Sequence, residues 1–166
     1  MNKESDSKDP KLTHFDSDGQ ARMVDVSKKE NTFREAIARC EIRMLPETWQ
    51  LIKKGGMAKG DVLGVARLAG IMGAKRTGHM IPLAHPITLT GVDIYFKMIE
   101  PQTVEVEARV HTVGKTGVEM EALTAASVSA LTIYDMCKAV DRAMIIDNLC
   151  LIFKAGGKSG EFKREE

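Results

Sequence analysis

One block of the chain, VEMEALTAASVSALTIYDMCKAV at 118–140, runs without glycine or proline and is rich in alanine. It predicts a helix of about six turns at ~3.6 residues per turn. The small residues AASVSA near its middle suit close packing against another element. Other segments change period. ITLTGVDIYFKMIE (87–100) and TVEVEARVHTV (103–113) alternate apolar and polar residues, are rich in Val, Ile and Thr, and flank the turn residues Pro101 and Gln102. They predict an antiparallel hairpin. MIIDNLCLIFKA (144–155) predicts a further strand that rejoins the same sheet.

Upstream, LPETWQLIKKGG places Pro46 at a helix N1 position and closes on Gly55 and Gly56, which predicts a helix over 46–54. In KGDVLGVARLAGIMGAKRTGHMIPL, Val62, Val65, Ala66, Ala69 and Met72 recur at helical spacing, so a second helix is expected to end near Arg76. ENTFREAIARCEIRM (30–44) carries mixed strand and helix signals. The order helix, strand, strand, helix, strand implies an α+β fold: an antiparallel sheet with helices packed on one face, in a ferredoxin-like arrangement.

At 166 residues and 43% hydrophobic, the chain encloses one core, so a single domain over 11–163 is expected, preceded by a charged, aperiodic, disordered tail at 1–10. Lys and Arg (24) nearly balance Asp and Glu (23), which argues against a nucleic-acid partner. No run of about 18 apolar residues occurs and the first ten residues are polar, so no membrane segment or signal peptide is expected. Cys40, Cys137 and Cys150 are odd in number and show no C-x-x-C spacing. That pattern fits a reducing cytoplasm and gives no metal-ligand motif.

Three groups of residues carry candidate chemistry. On the long helix, Glu121, Thr124, Val128, Leu131, Asp135 and Lys138 form one stripe, apolar in the centre and ionisable at both ends. Asp135 and Lys138 form either a solvated i, i+3 ion pair or, if partly buried as the stripe suggests, a reactive acid and base. In HMIPLAHP, His85 is a structural loop histidine or a group aimed by the neighbouring proline. Lys59, Lys115, Lys154 and Lys158 sit beside glycines, which suits either plain solvation or a phosphate pocket. Neither Gly-Lys-Thr nor Gly-Lys-Ser belongs to a P-loop, because Arg109 and Ile152 stand where its first glycine is required.

Through MVDVS, KGDV, AGIMGAKRT, IPLAHP, GKTGVEMEALTAASVSALTIYDMCKAV and GGKSG, the chain resembles the cyclic pyranopterin monophosphate synthase family, accessory protein C of molybdenum cofactor biosynthesis, from about Leu12 to Lys163. The resemblance implies a lyase acting on (8S)-3′,8-cyclo-7,8-dihydroguanosine 5′-triphosphate, with pyrophosphate as leaving group. It assigns the catalytic role to Asp135 and Lys138, and substrate contacts to Leu83, Ala84, His85, Met120 and Glu121. Arg34, Lys59, Lys75, Glu119 and Lys154 match other polar groups of the family's pocket. Ala84 stands where the family usually has cysteine. A Mg²⁺ ion accompanying the triphosphate is compatible with the sequence; no dedicated cofactor is implied.

On a continuous helix Glu121 and Asp135 lie roughly 21 Å apart at ~1.5 Å per residue, too far to touch one atom. Either the substrate spans a long cleft or the site joins residues from two chains; the second is favoured, in agreement with the homohexamer, a trimer of dimers, that the resemblance implies. Two other readings use the same residues: a non-catalytic nucleotide- or pterin-binding oligomer, and a structural oligomer in which Asp135–Lys138 sets subunit register.

Overall fold

Residues 18–165 are described by the computed structural model; the tail expected at 1–10 lies outside them. In chain order the elements are β1 (Thr32–Arg43), α1 (Pro46–Lys53), α2 (Val62–Met80), β2 (Gly91–Ile99), β3 (Thr103–Gly114), α3 (Glu119–Cys137), β4 (Ile145–Ala155) and β5 (Phe162–Lys163). The strands form one sheet in the order β2-β3-β1-β4-β5, with every neighbouring pair antiparallel. Strands β1 and β3 occupy the middle, each followed in sequence by helix, or preceding one, that crosses the same face. This is the split βαβ pattern of a ferredoxin-like α+β fold.

The strand at the centre is the one whose sequence was ambiguous. In β1, Arg34, Ala36, Ala38, Cys40 and Ile42 are buried, while the residues between them are only half-buried. The period is therefore two, as a one-sided strand requires. Its core positions, however, hold mostly alanine and cysteine between Arg and Glu, and Ala, Arg and Glu all favour helix. Pairing with β3 on one side and β4 on the other overrides that propensity. The short edge strand β5 was not anticipated. Elsewhere the expected elements form with shifted ends: α2 continues past Arg76 to Met80, and β2 starts at Gly91.

The core lies between the sheet and the helices. Ala36, Ala38 and Cys40 of β1 and Val104, Val106, Ala108 and Val110 of β3 face Ala122, Ala125, Ala126, Ala130 and Ile133 of α3, all buried. Small residues on both surfaces bring the helix close enough for Cys40 Sγ to reach the Ala126 carbonyl at 3.4 Å. Helix α2 packs against α3 with equal intimacy. A Cβ built on Gly70 would stand 2.2 Å from Ser129 Oγ and 3.0 Å from the Ala125 carbonyl oxygen. Helix α1 closes one end, where buried Trp49 donates from Nε1 to the Thr103 carbonyl at 3.1 Å.

The other sheet face is charged. Arg39 lies 3.7 Å from Glu105 and 3.6 Å from Glu107, Arg109 lies 3.9 Å from Glu35, and Arg43 pairs with Asp147. Among the described residues, no helix is long and apolar enough to cross a membrane.

Because the Ala125 backbone is fixed and Ser129 would have to change rotamer in a packed interface, Gly70→Ala is expected to destabilise the protein by about 1–3 kcal/mol. Leu68→Ala, at an exposed position two residues earlier, is expected to change stability by about 0.5 kcal/mol or less. Urea unfolding of the two variants against wild type checks both.

Candidate active site

The candidate residues fall at two ends of α3. At its N-terminal end a cleft of about 760 Å³ opens between β1, the turn after β3 and the turn after β4. Its walls carry Lys28, Lys29, Arg34, Lys115, Lys154 and Lys158 as cations, with Glu30 and Glu119 as the carboxylates. Gly156 and Gly157 form one wall with φ of 99° and 76°, a left-handed backbone that favours glycine. Gly157 is also required by space: a Cβ there would lie 1.6 Å from Arg34 Nη1.

Arg34 is buried at 8% exposure and is partly a building element of this cleft. Its Nε donates to the Gly114 carbonyl at 3.3 Å and its Nη2 to the Lys115 carbonyl at 3.4 Å. The guanidinium thereby fixes the turn that presents Lys115 and Thr116. Lys154, the next-to-last residue of β4, reaches Ser159 Oγ across the glycine wall. A cleft with so many cations is chemically suited to a polyanion, with Lys as point charge and Arg as fork.

Next to the cleft, Glu121 points into a smaller cavity of about 250 Å³ lined by Lys75, His79, Pro86 and Thr88. Lys75 also borders an adjoining cavity of about 390 Å³. Glu121 is 2% exposed and its Oε2 has no hydrogen-bond partner. Burial pushes its carboxyl up to about 7, and the charge of Glu119 adds to the rise. A carboxyl that titrates near neutrality gives or takes a proton at working pH. Met120, its neighbour in sequence, is 38% exposed because successive helical residues point about 100° apart.

The loop between α2 and β2 carries Leu83, Ala84 and His85, all half-buried. Ala84 donates its N–H to the Ile81 carbonyl at 3.0 Å, closing a turn with no thiol in it. His85 Nε2 lies 2.8 Å from the Val24 carbonyl oxygen. A carbonyl only accepts, so Nε2 carries the proton and Nδ1 is the nitrogen left to accept.

At the C-terminal end of α3, Lys138 Nζ stands 2.7 Å from Asp135 Oδ1, and Lys59 Nζ stands 3.7 Å from Asp135 Oδ2 and donates to the Asp135 carbonyl at 2.8 Å. Two cations thus meet a carboxylate and an orphan carbonyl at the negative end of a helix dipole. The hydrogen bond and charge of Lys138, then the charge of Lys59, hold the Asp135 carboxyl below its ordinary value. The expected partial burial of this pair is not found. Its side chains are 61% and 52% exposed, because the stripe turns outward: Glu121 is buried, Val128 half-buried, and Leu131 onward exposed.

The structure therefore joins Arg34, Glu119 and Lys154 in one cleft, sets Glu121 and Lys75 beside it, and leaves Asp135, Lys138 and Lys59 at the far end of a 19-residue helix. Sequence reasoning left out Lys28, Lys29, Thr116 and Ser159 from the cleft. Lys28 and Lys29 lie in a segment without periodicity, and only the fold brings them opposite Lys154. Among the described residues no cluster of three His, Cys, Asp or Glu side chains is arranged as metal ligands.

Fold and site define a ferredoxin-like α+β protein with a cationic cleft beside a buried, near-neutral carboxyl. Residues 23–157 match the MoaC family model, and the chain belongs to the MoaC family. It is 63% identical over 154 residues to a protein of Desulforamulus reducens, covering 93% of this chain and 94% of that one. It is 62% identical to one of Heliobacterium modesticaldum (93% and 98% covered) and 60% identical to one of Thermomicrobium roseum (93% and 94%). All three relatives are named cyclic pyranopterin monophosphate synthase.

The raised carboxyl of Glu121 has a sign in the folding equilibrium. The unfolded chain loses this proton near 4.5 and the folded chain near 7, so the stabilisation is full below 4.5 and is lost as pH rises through 7. Wild type is expected to lose about 3 kcal/mol across that window from this group alone, and Glu121→Gln to lose none of it. Urea titrations at pH 5 and pH 8 measure the difference.

Proposed function

We propose that the chain is a lyase that converts (8S)-3′,8-cyclo-7,8-dihydroguanosine 5′-triphosphate to cyclic pyranopterin monophosphate in molybdenum cofactor biosynthesis, releasing pyrophosphate. The observation that carries this reading is the cationic, glycine-walled cleft beside Glu121. Closing a cyclic phosphate requires a sugar hydroxyl to attack the α-phosphorus while pyrophosphate departs. Charge accumulates on the leaving group, and Lys154, Lys158 and the neighbouring cations are placed to neutralise it. A Mg²⁺ ion carried on the triphosphate would find oxygen ligands in Glu119 and Glu30, with phosphate and water supplying the rest. That donor set suits an ion that keeps several waters. Such an ion would neutralise phosphate charge; the lysines do the same without it.

Rebuilding the guanine-derived rings requires proton transfers. The hydrogen bond and charge of Lys138 hold the Asp135 carboxyl below its ordinary value, and the 2.7 Å contact orients Lys138 as the proton donor of that pair. Glu121 supplies a carboxyl that exchanges its proton near pH 7. These groups serve one substrate when the Asp135 end of one chain meets the Glu121 end of another. We therefore place the site at a subunit boundary, in a homohexamer built as a trimer of dimers. The free thiols Cys40, Cys137 and Cys150 suit a reducing cytoplasm as its location.

Lys138→Ala, incubated with the cyclic dihydro-GTP precursor, is expected to bind substrate but lose turnover by at least about 100-fold, followed as pyrophosphate and pterin. Undiminished turnover would overturn the catalytic assignment, and lost binding with an intact fold would favour a binding role. Mixing Asp135→Ala with Glu121→Ala chains, each inactive alone, is expected to restore about a quarter of wild-type activity if each site takes one residue from each of two chains. No recovery in verified mixed oligomers counts against shared sites.

A further inference from the structure

Segment 22–31 contains no helix or strand, and most of it is exposed. It nevertheless crosses the mouth of the cleft and contributes Lys28 and Lys29 to its wall. With little apolar area to hold it, its position depends on polar attachments. Two are internal: Asp25 Oδ1 accepts from the Ser27 N–H at 2.8 Å, and the Lys29 N–H donates to the Val26 carbonyl at 3.0 Å. These give the segment a shape without fixing it to the body. Two others fix it: His85 Nε2 at the Val24 carbonyl, and Lys115 Nζ, which donates to the Ser27 carbonyl at 2.7 Å.

Lys115 itself stands on a rigid base, since its own carbonyl and that of Gly114 are held by the buried Arg34 guanidinium. We propose that Lys115 is a positioning residue: it pins segment 24–30 across the cleft, so that Lys28 and Lys29 are held where a polyphosphate lies. This rests on the reading of the cleft as a polyphosphate site and deepens it. A Lys115 that contacted phosphate directly would act independently of the pinned lysines. A Lys115 that acts through the segment shares its effect with them.

The experiment has two arms. In the first, hydrogen exchange without ligand compares backbone amides of residues 25–30 in wild type, Lys115→Met and Lys115→Arg. Exchange is expected to rise about tenfold in Lys115→Met and to stay near wild type in Lys115→Arg. Unchanged exchange in Lys115→Met overturns the pin. In the second, calorimetry measures inorganic pyrophosphate binding. Lys115→Met and the double variant Lys28→Ala/Lys29→Ala are each expected to weaken it about tenfold, and the triple variant no more than about tenfold. A triple variant weakened about a hundredfold shows independent contacts and overturns the proposal. If wild type takes up no pyrophosphate, the reading of the cleft fails, while the exchange arm still decides the pin.

Discussion

The close approach of α3 to the middle of the sheet is the constraint on which the other elements depend. Alanines at 122, 125, 126 and 130 meet Ala36, Ala38, Cys40 and Ala108 across an interface where larger side chains would have to overpack. Each contributes little buried area, so the cohesion comes from the number and closeness of contacts. Helix α2 meets the same requirement through Gly70 and Gly73, the second facing Val128. The result is a closely packed body of two central strands and two helices, whose ends carry the candidate site residues.

Close packing matters at those ends. Arg34 leaves the central strand and spends its guanidinium on the turn beyond β3, so the cleft is referred to the core through one buried cation. Glu121 sits in the first turn of α3 and is deprived of water by the same packing that orders the helix. Its near-neutral titration is thus a product of close packing. Asp135 has the opposite environment, exposed and flanked by two cations, and is kept anionic. Two carboxylates on one helix are driven apart in proton affinity by their surroundings, which is how one protein keeps an acid and an anion together at one pH.

Most of the fold could be read from the sequence because its patterns were long. The glycine-free block yielded α3, and the alternating runs yielded the β2–β3 hairpin and β4. The exception was β1, where helix-favouring residues disguised an alternation that only tertiary pairing resolves. The site was legible as residues but not as places. Motifs pointed to Lys154, Glu121, Asp135 and Lys138, whereas Lys28 and Lys29 belong to the cleft only because the chain folds back. The burial expected at Asp135 failed because a stripe counted at 3 and 4 residues repeats every seven, which drifts about 20° per heptad around a straight helix, so its far end turns out to solvent. That exposed end is also where the proposed second chain has room to sit.

The helix α3 is, finally, a measure of length. Its fourteen-residue interval sets both the spacing and the relative azimuth of Glu121 and Asp135. Inserting one residue between them would turn one end by about 100° against the other and move it about 1.5 Å along the axis. Seven residues would nearly restore the azimuth but add about 10 Å. A fold can absorb such changes in its loops, but between these two carboxylates the number of residues is itself part of the proposed site.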